Sequence, residues 1–494
     1  MEISPSLKEF KRLSQNNNLI VFSHRVGLSD KFFSGQVTPL AAYHSLSKII
    51  EGESFLLESI EGQEKICRFS FLGFKPLCTF KSKGKKVYIQ QKKSQVFKTE
   101  KGPLYELKKL MAQYKAAPKK NLRFFGGFVG YLGYDIVKFY EPVGKLPKDS
   151  IGTYDSYLIL PKFLIIFDHL KNQIEILSFA ALEGKTGLDG LFLKEKKAIE
   201  KIYKNVITPH KLPKLSSTPL PLEVKSNFKK KDFITAVQKA KKYIKEGEVI
   251  QVVISQRFSA NFKKNPFKVY RHLRGLNPSP YMFYLDFTGI KLAGASPEML
   301  VRCEKDELVT RPIAGTRKRS KDEIEDLELE KSLLADPKEK AEHIMLVDLA
   351  RNDLGRIAER TSVKIPEFMK VEKFSHVMHI VSEVRARLNK GEDIFSSLVS
   401  CFPAGTVSGA PKVRAMQIIN ELEPNARGAY AGAVGYFSFT KGLDTCIIIR
   451  TIIFKGGKAY VQAGAGIVND SKPEDEYTET INKAKAQILA LKMV

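Results

Sequence analysis

The sequence predicts a mixed α/β (α+β) fold, on three observations. Apolar runs such as Phe163–Phe167 read as buried strands. A helical period follows Asp232, a candidate cap: Phe233, Val237, Ala240 and Ile244 recur at three or four residues, and Gly247 stops them. Two acidic segments, opening on Asp336-Pro337 and Ser471-Lys472-Pro473, carry helix-start signals. The chain has 494 residues, 43% of them hydrophobic, ample for a large core in two or three domains.

The first part, to about residue 180, mixes short strands with turns at Lys75-Pro76, Gly126-Gly127 and Gly144. Pro209, Pro213, Pro219 and Pro221, set among Ser, Thr and Lys, have linker composition. The expected division is an N-terminal unit of residues 1–206, a linker of 207–226 and a second unit of 227–494. There is no internal repeat.

Several function classes drop out. The apolar stretch Tyr157–Phe167 is interrupted by Pro161 and Lys162, and no run approaches the ~18 residues a membrane span needs. The start of the chain, with Glu2, Lys8, Glu9 and Lys11, lacks a signal-peptide pattern, so a soluble cytoplasmic protein is expected. The five cysteines, Cys67, Cys78, Cys303, Cys401 and Cys446, are scattered without a C-x-x-C pair, against a disulfide framework or a zinc site. The net charge is +27, but lysines such as Lys81, Lys92 and Lys229 are dispersed and no basic helix alternates with aromatics. That favours a solvated surface over nucleic-acid binding.

The acidic segments carry the first chemistry. Asp336 can cap, Pro337 suits the first helical position, and Glu339 can close a capping box. Glu342, three residues on, shares a face with Glu339. Ser471, Pro473 and Glu474 repeat the design, and Glu476 and Glu479 again share one face. Such carboxylate pairs can hold a hard dication, or simply complement the helix dipole. The dipole accounts for Glu339 and Glu474 better than for Glu342 and Glu479, which lie deeper.

Pro403–Lys412 contains Gly405 and Gly409 but is no phosphate loop, because Ala410-Pro411 precedes Lys412. It reads as a loop feeding a helix to about Leu422, with Thr406 available to a carboxylate. Gln462–Gly466 reads equally as a ligand approach or a tight turn. Arg450 ends the apolar strand Cys446–Ile449 and suits either a ligand carboxylate or an ion pair. His379, within Val377–Val381, is either a satisfied core histidine or a tuned acid-base.

Taken in order, Pro312–Arg317, Ala341–Asp353, Ser375–His379, Gly405–Lys412, Leu443–Cys446 and Gln462–Gly466 resemble the core of the chorismate-utilising enzymes. The resemblance implies large antiparallel sheets packed face to face with helices outside, and a Mg²⁺-dependent site for chorismate. It implies Glu342 and Glu479 as metal ligands with Glu339 and Glu476 in support, and Gly315, Thr316, Tyr430, Arg450, Gly464, Ala465 and Gly466 as substrate contacts. Glu298 becomes the acid for the C4 hydroxyl, Thr406 a catalytic-loop residue, and His379 an aid to loss of pyruvate.

Within the family the chain is most similar to the anthranilate-forming branch. Ala314 stands where the aminodeoxychorismate-forming branch, the alternative reading, carries lysine. Gln251 stands where water-adding members carry a basic lysine. Leu56–Ser59 and Asn277–Phe283 resemble a tryptophan feedback pocket, with Ser59, Pro280, Tyr281 and Met282 as contacts. Arg68–Gly73 and Gly130–Asp135 extend the likeness, implying a regulatory N-terminal unit and a catalytic second one. No cysteine sits in a Gly-x-Cys-x-Gly setting, so ammonia from glutamine implies a separate glutamine amidotransferase subunit.

Overall fold

The computed structural model describes all residues except 28–36, 61–67, 118–121, 183, 185, 209–211 and 375–376. Cys67, Pro209, Ser375 and His376 therefore lie outside the described residues.

Apolar alternation builds 22 connected strands, and eleven α-helices flank them among the described residues. One cluster of buried side chains comes from strands and their connecting loops alone, including Phe55, Phe71, Tyr157, Phe179, Phe283 and Val434. Strand layers thus face one another across it. The opposite strand faces take the helices: Ile199 and Leu273 in one cluster, Leu107 and Leu354 in another. Each large apolar side chain buried this way contributes roughly 1.5–3 kcal/mol. This is the α/β architecture expected, with helices outside. No helix among the described residues is long and apolar enough to cross a membrane.

Strands from either side of residues 207–226 pair directly. Ser54–Glu58 runs antiparallel to Tyr281–Phe287, and Gly127–Leu132 to Ala433–Ser438.

The strand Ser156–Asp168 runs through Pro161 and Lys162, which interrupt its apolar run but not its backbone pairing. Pro161 lies opposite Pro76, where the ladder shifts register, so the lost N–H falls at an irregularity that tolerates it. Asp232 is not a cap. The helix Lys230–Lys245 starts from Lys229, which leaves Asp232 in the first turn facing the positive end of the dipole. Its buried face, Phe233, Ala236, Val237 and Ala240, follows the expected period.

Candidate active site

The floor of the site is one antiparallel ladder. The strand Lys458–Ile467 pairs with Gln251–Asn261, setting Gly464 opposite Ser255 and Gly466 opposite Val253. The Gln462–Gly466 stretch is therefore continuous strand, not a tight turn. The glycines leave room for neighbouring side chains. A Cβ on Gly466 would sit 2.3 Å from the Gln251 amide nitrogen, and one on Gly464 would sit 3.0 Å from the Tyr430 hydroxyl.

The first acidic helix, Pro337–Gly355, is capped as expected: the Asp336 carboxylate accepts from the Lys338 and Glu339 amides. Glu339 does not close the box. Arg317 takes its carboxylate at 3.2 Å and that of Asp336 at 2.8 Å, and a guanidinium outcompetes a single backbone N–H. Burial raises the Glu339 pKa, Arg317 opposes this, and the Glu342 charge raises it again. Glu342 accepts from the Gln251 amide at 3.1 Å, which ties this helix to the floor.

The second acidic helix, Pro473–Lys492, is entered from Lys472, and Ser471 is not its cap. The Ser471 hydroxyl instead accepts from the Val468 amide at 3.1 Å, closing the turn out of the glycine strand. Burial raises the Glu476 pKa, and the Glu479 charge adds to it. Glu479 pairs with Lys483 at 2.5 Å, and the same ammonium donates to the Gly464 carbonyl at 3.1 Å. Glu342 and Glu479 are thus linked to one floor from two helices, through Gln251 and Lys483 respectively. The Lys338 charge opposes the rise at Glu476.

The walls follow. Arg450 takes a positive φ of 53° between two strands and donates to the Lys483 carbonyl at 2.5 Å. Burial pushes its guanidinium below the ordinary value, against the charge of Glu479. His379 lies in the strand Val377–Arg387; its Nδ1 donates to the Gly315 carbonyl at 2.8 Å and lies 3.1 Å from the Thr316 hydroxyl. That bond fixes the tautomer and leaves Nε2 as the basic nitrogen. Burial lowers its pKa, and Arg450 lowers it further, so the ring is neutral near pH 7. Glu298 is buried, and its pKa is pushed up to about 8 by burial, against the neighbouring Thr406 hydroxyl and the Lys483 charge. Glu298, Gly405 and Thr406 line one cavity of about 380 Å³.

Lys483 was not singled out by sequence. It touches Glu479, Gly464 and Arg450 and bears on Glu298; its one signal was its place four residues after Glu479, on the same helical face.

A Mg²⁺ site fits these residues. The donors are all carboxylate oxygens, and the pKa values of Glu339 and Glu476 are raised mainly by burial, with the charges of Glu342 and Glu479 adding to it. Among the described residues no three His, Cys, Asp or Glu side chains gather closely enough to hold an ion alone.

The chorismate binding enzyme family matches residues 52–489. Anthranilate synthase component 1 from Aquifex aeolicus is 45% identical, covering 100% of this chain and 99% of the relative. That from Acetivibrio thermocellus is 43% identical, at 99% and 98% coverage. The crystal structure of anthranilate synthase component I from Streptococcus pneumoniae aligns with a TM-score of 0.77 and 40% identity, over 87% of this chain and 93% of that one. The chain belongs to the anthranilate synthase component 1 group of the chorismate binding enzymes. A menaquinone-specific isochorismate synthase from Escherichia coli, 22% identical with a TM-score of 0.72, shares the fold.

A second cavity of this family member, about 520 Å³, is lined by Leu57, Ser59, Phe71, Pro280, Tyr281 and Met282 among others. The Ser59 hydroxyl donates to the Pro280 carbonyl at 2.6 Å, and Tyr281 donates to Asp444 at 3.0 Å. The four residues expected in an inhibitor pocket are thus brought together, away from the glycine floor.

The Glu298 environment is directly testable. Its folded-state pKa is raised, so the protonated form is favoured and the stability tied to it is lost as pH rises through about 8. A ¹³C NMR titration of the folded chain is expected to show one carboxyl with a midpoint near 8, absent in Glu298→Gln. A midpoint in the ordinary glutamate range would refute the burial argument.

Proposed function

We propose that this chain converts chorismate and ammonia to anthranilate and pyruvate. The observation supporting this reading is that Glu342, through Gln251, and Glu479, through Lys483, are each tied to the strand pair that carries Gly464 and Gly466. Glu342 and Glu479 would hold Mg²⁺, with Glu339 and Glu476 behind them; when bound, the ion supplies a charge clamp for the ring carboxylate of chorismate. Arg450, the Tyr430 hydroxyl, Thr316 and backbone at Gly315 and Gly464–Gly466 hold and orient the substrate.

Glu298, protonated at neutral pH, gives its proton to the C4 hydroxyl as that group leaves. The ammonia lone pair forms the new bond at C2, giving an aminodeoxyisochorismate. Thr406 stands beside Glu298 and supports its orientation. The basic Nε2 of His379 assists the second step, in which pyruvate leaves and the ring becomes aromatic. This is lyase chemistry.

Two residues support ammonia as nucleophile, and ortho over para amination. Ala314 is buried and places no amine in the site. The neutral amide of Gln251 donates to Glu342 and cannot serve as the base that activates water. Ammonia is supplied by a glutamine amidotransferase subunit, component II. The described cysteines offer no activated thiol for that job: burial pushes Cys78 and Cys401 each up to about 12, and raises Cys303 and Cys446. The enzyme acts in the cytoplasm, and the pocket at Ser59, Pro280, Tyr281 and Met282 binds tryptophan as feedback inhibitor.

The purified chain, given chorismate, Mg²⁺ and an ammonium salt, is expected to develop anthranilate fluorescence; a para-aminated product would overturn the reading. Glu342→Gln or Glu479→Gln should lower turnover by more than about 100-fold and weaken its Mg²⁺ dependence, and near-normal activity would remove their metal role. Ser59→Ala or Met282→Thr should raise the tryptophan concentration for half-inhibition by about tenfold while sparing uninhibited turnover. Unchanged inhibition would dismiss the pocket.

A further inference from the structure

Behind the substrate walls lies an ion pair that the chemistry above does not use. Arg427 and Glu423 are 2% and 5% exposed. The Arg427 guanidinium spends four of its five N–H groups on four acceptors. Nε donates to Glu423 Oε2 at 3.0 Å, and Nη2 donates to Glu423 Oε1 at 2.6 Å and to the Val253 carbonyl at 2.8 Å. Nη1 donates to the Val407 carbonyl at 2.6 Å. Its carbon lies 4.8 Å from the ring centre of Tyr134 and 5.6 Å from that of Tyr430.

Each of these contacts reaches a different wall. Val407 follows Thr406 in the loop against Glu298. Val253 stands opposite Gly466 in the floor. Glu423 Oε1 also accepts from the Ser255 amide and hydroxyl, both at 2.8 Å, and Ser255 stands opposite Gly464. Tyr430 carries the hydroxyl that lies over Gly464. The N-terminal half braces the same turn: Tyr134 donates its amide to the Gly428 carbonyl at 2.8 Å, and Asp135 accepts from the Gly428 amide at 3.1 Å. Because Glu423 neutralises Arg427, the pair adds little net charge at the substrate. Its planar fork joins two backbone carbonyls, one carboxylate and two rings, which a lysine ammonium has neither the shape nor the donor spread to do.

We propose that Arg427, locked by Glu423, is the positioning residue that sets Tyr430, the Thr406 loop and the glycine floor at their working separation. It acts through them and touches no substrate. The inference rests on Tyr430 being a chorismate contact.

The test measures KM for chorismate, kcat and the melting temperature of the full chain, with Mg²⁺ and ammonium, for Arg427→Lys, Tyr430→Leu and the double variant. Arg427→Lys keeps a cation for Glu423. It is expected to raise KM by about tenfold with a much smaller change in kcat, since displaced walls weaken binding first. Tyr430→Leu should raise KM comparably, and the double variant should be little worse than Tyr430→Leu alone, because the two act in one chain of contacts. A folded Arg427→Lys with unchanged KM, beside a raised KM in Tyr430→Leu, overturns the inference and leaves the substrate reading intact. Full additivity in the double variant also overturns it. An unchanged KM in Tyr430→Leu sinks the substrate reading instead, and the inference with it. Should Arg427→Lys fail to fold, Tyr134→Leu decides by the same KM criterion: it removes one face of the stack and keeps the ion pair.

Discussion

The pairing of Gln251–Asn261 with Lys458–Ile467 is the constraint on which the rest of the site depends. Side chains alternate along a strand, so this register puts Gly464 and Gly466 on one face and opens a bare strip of backbone there. A slip of one residue would turn that strip over and bury the wrong side. Both acidic helices are referred to this ladder. One follows the glycine strand after the short turn closed by Ser471. The other arrives from far along the chain and is tied in by the Gln251–Glu342 hydrogen bond. Both helices are therefore tied to one strand pair, although they lie far apart in sequence.

The two halves of the chain share this architecture. Tyr281–Phe287 pairs on one side with Ser54–Glu58 and on the other with Ile290–Ser296. The same hairpin that sets Tyr281 opposite Ser296 leads within two residues to Glu298. The Ser59–Met282 cavity and the buried acid thus lie at successive positions along one pair of strands. The amide of Ile447 donates to the Glu298 carbonyl at 3.1 Å, and Asp444 and Cys446, just before it, line that cavity.

Local chemistry was legible where local forces decide. Asp336 caps its helix because the two amides that donate to it belong to the next residues but one and two. The helix Lys412–Leu422 runs from the end of the Gly405 loop to the expected limit before Pro424. Reading failed where another partner won. Glu339 left its capping box for the distant Arg317, and the Ser471 hydroxyl accepts from the Val468 amide three residues back instead of capping the helix. His379 stayed ambiguous because its role turns on the Gly315 carbonyl, 64 residues away. For the metal and substrate residues, spacing raised a possibility and resemblance to the chorismate-utilising enzymes assigned the roles. Lys483 and Arg427 escaped both, since their partners come from tertiary packing.

The central claim is that carboxylates from two helices distant in sequence serve one divalent cation above the glycine strand. Its most direct test is anomalous diffraction from crystals of this chain grown with chorismate and Mn²⁺ in place of Mg²⁺. The account expects a single anomalous peak bridging the carboxylates of Glu342 and Glu479, at about 2.0–2.2 Å from ligand oxygens of each, as for a small octahedral dication. A peak coordinated by only one of the two helices, or seated away from Gly464 and Gly466, would contradict it.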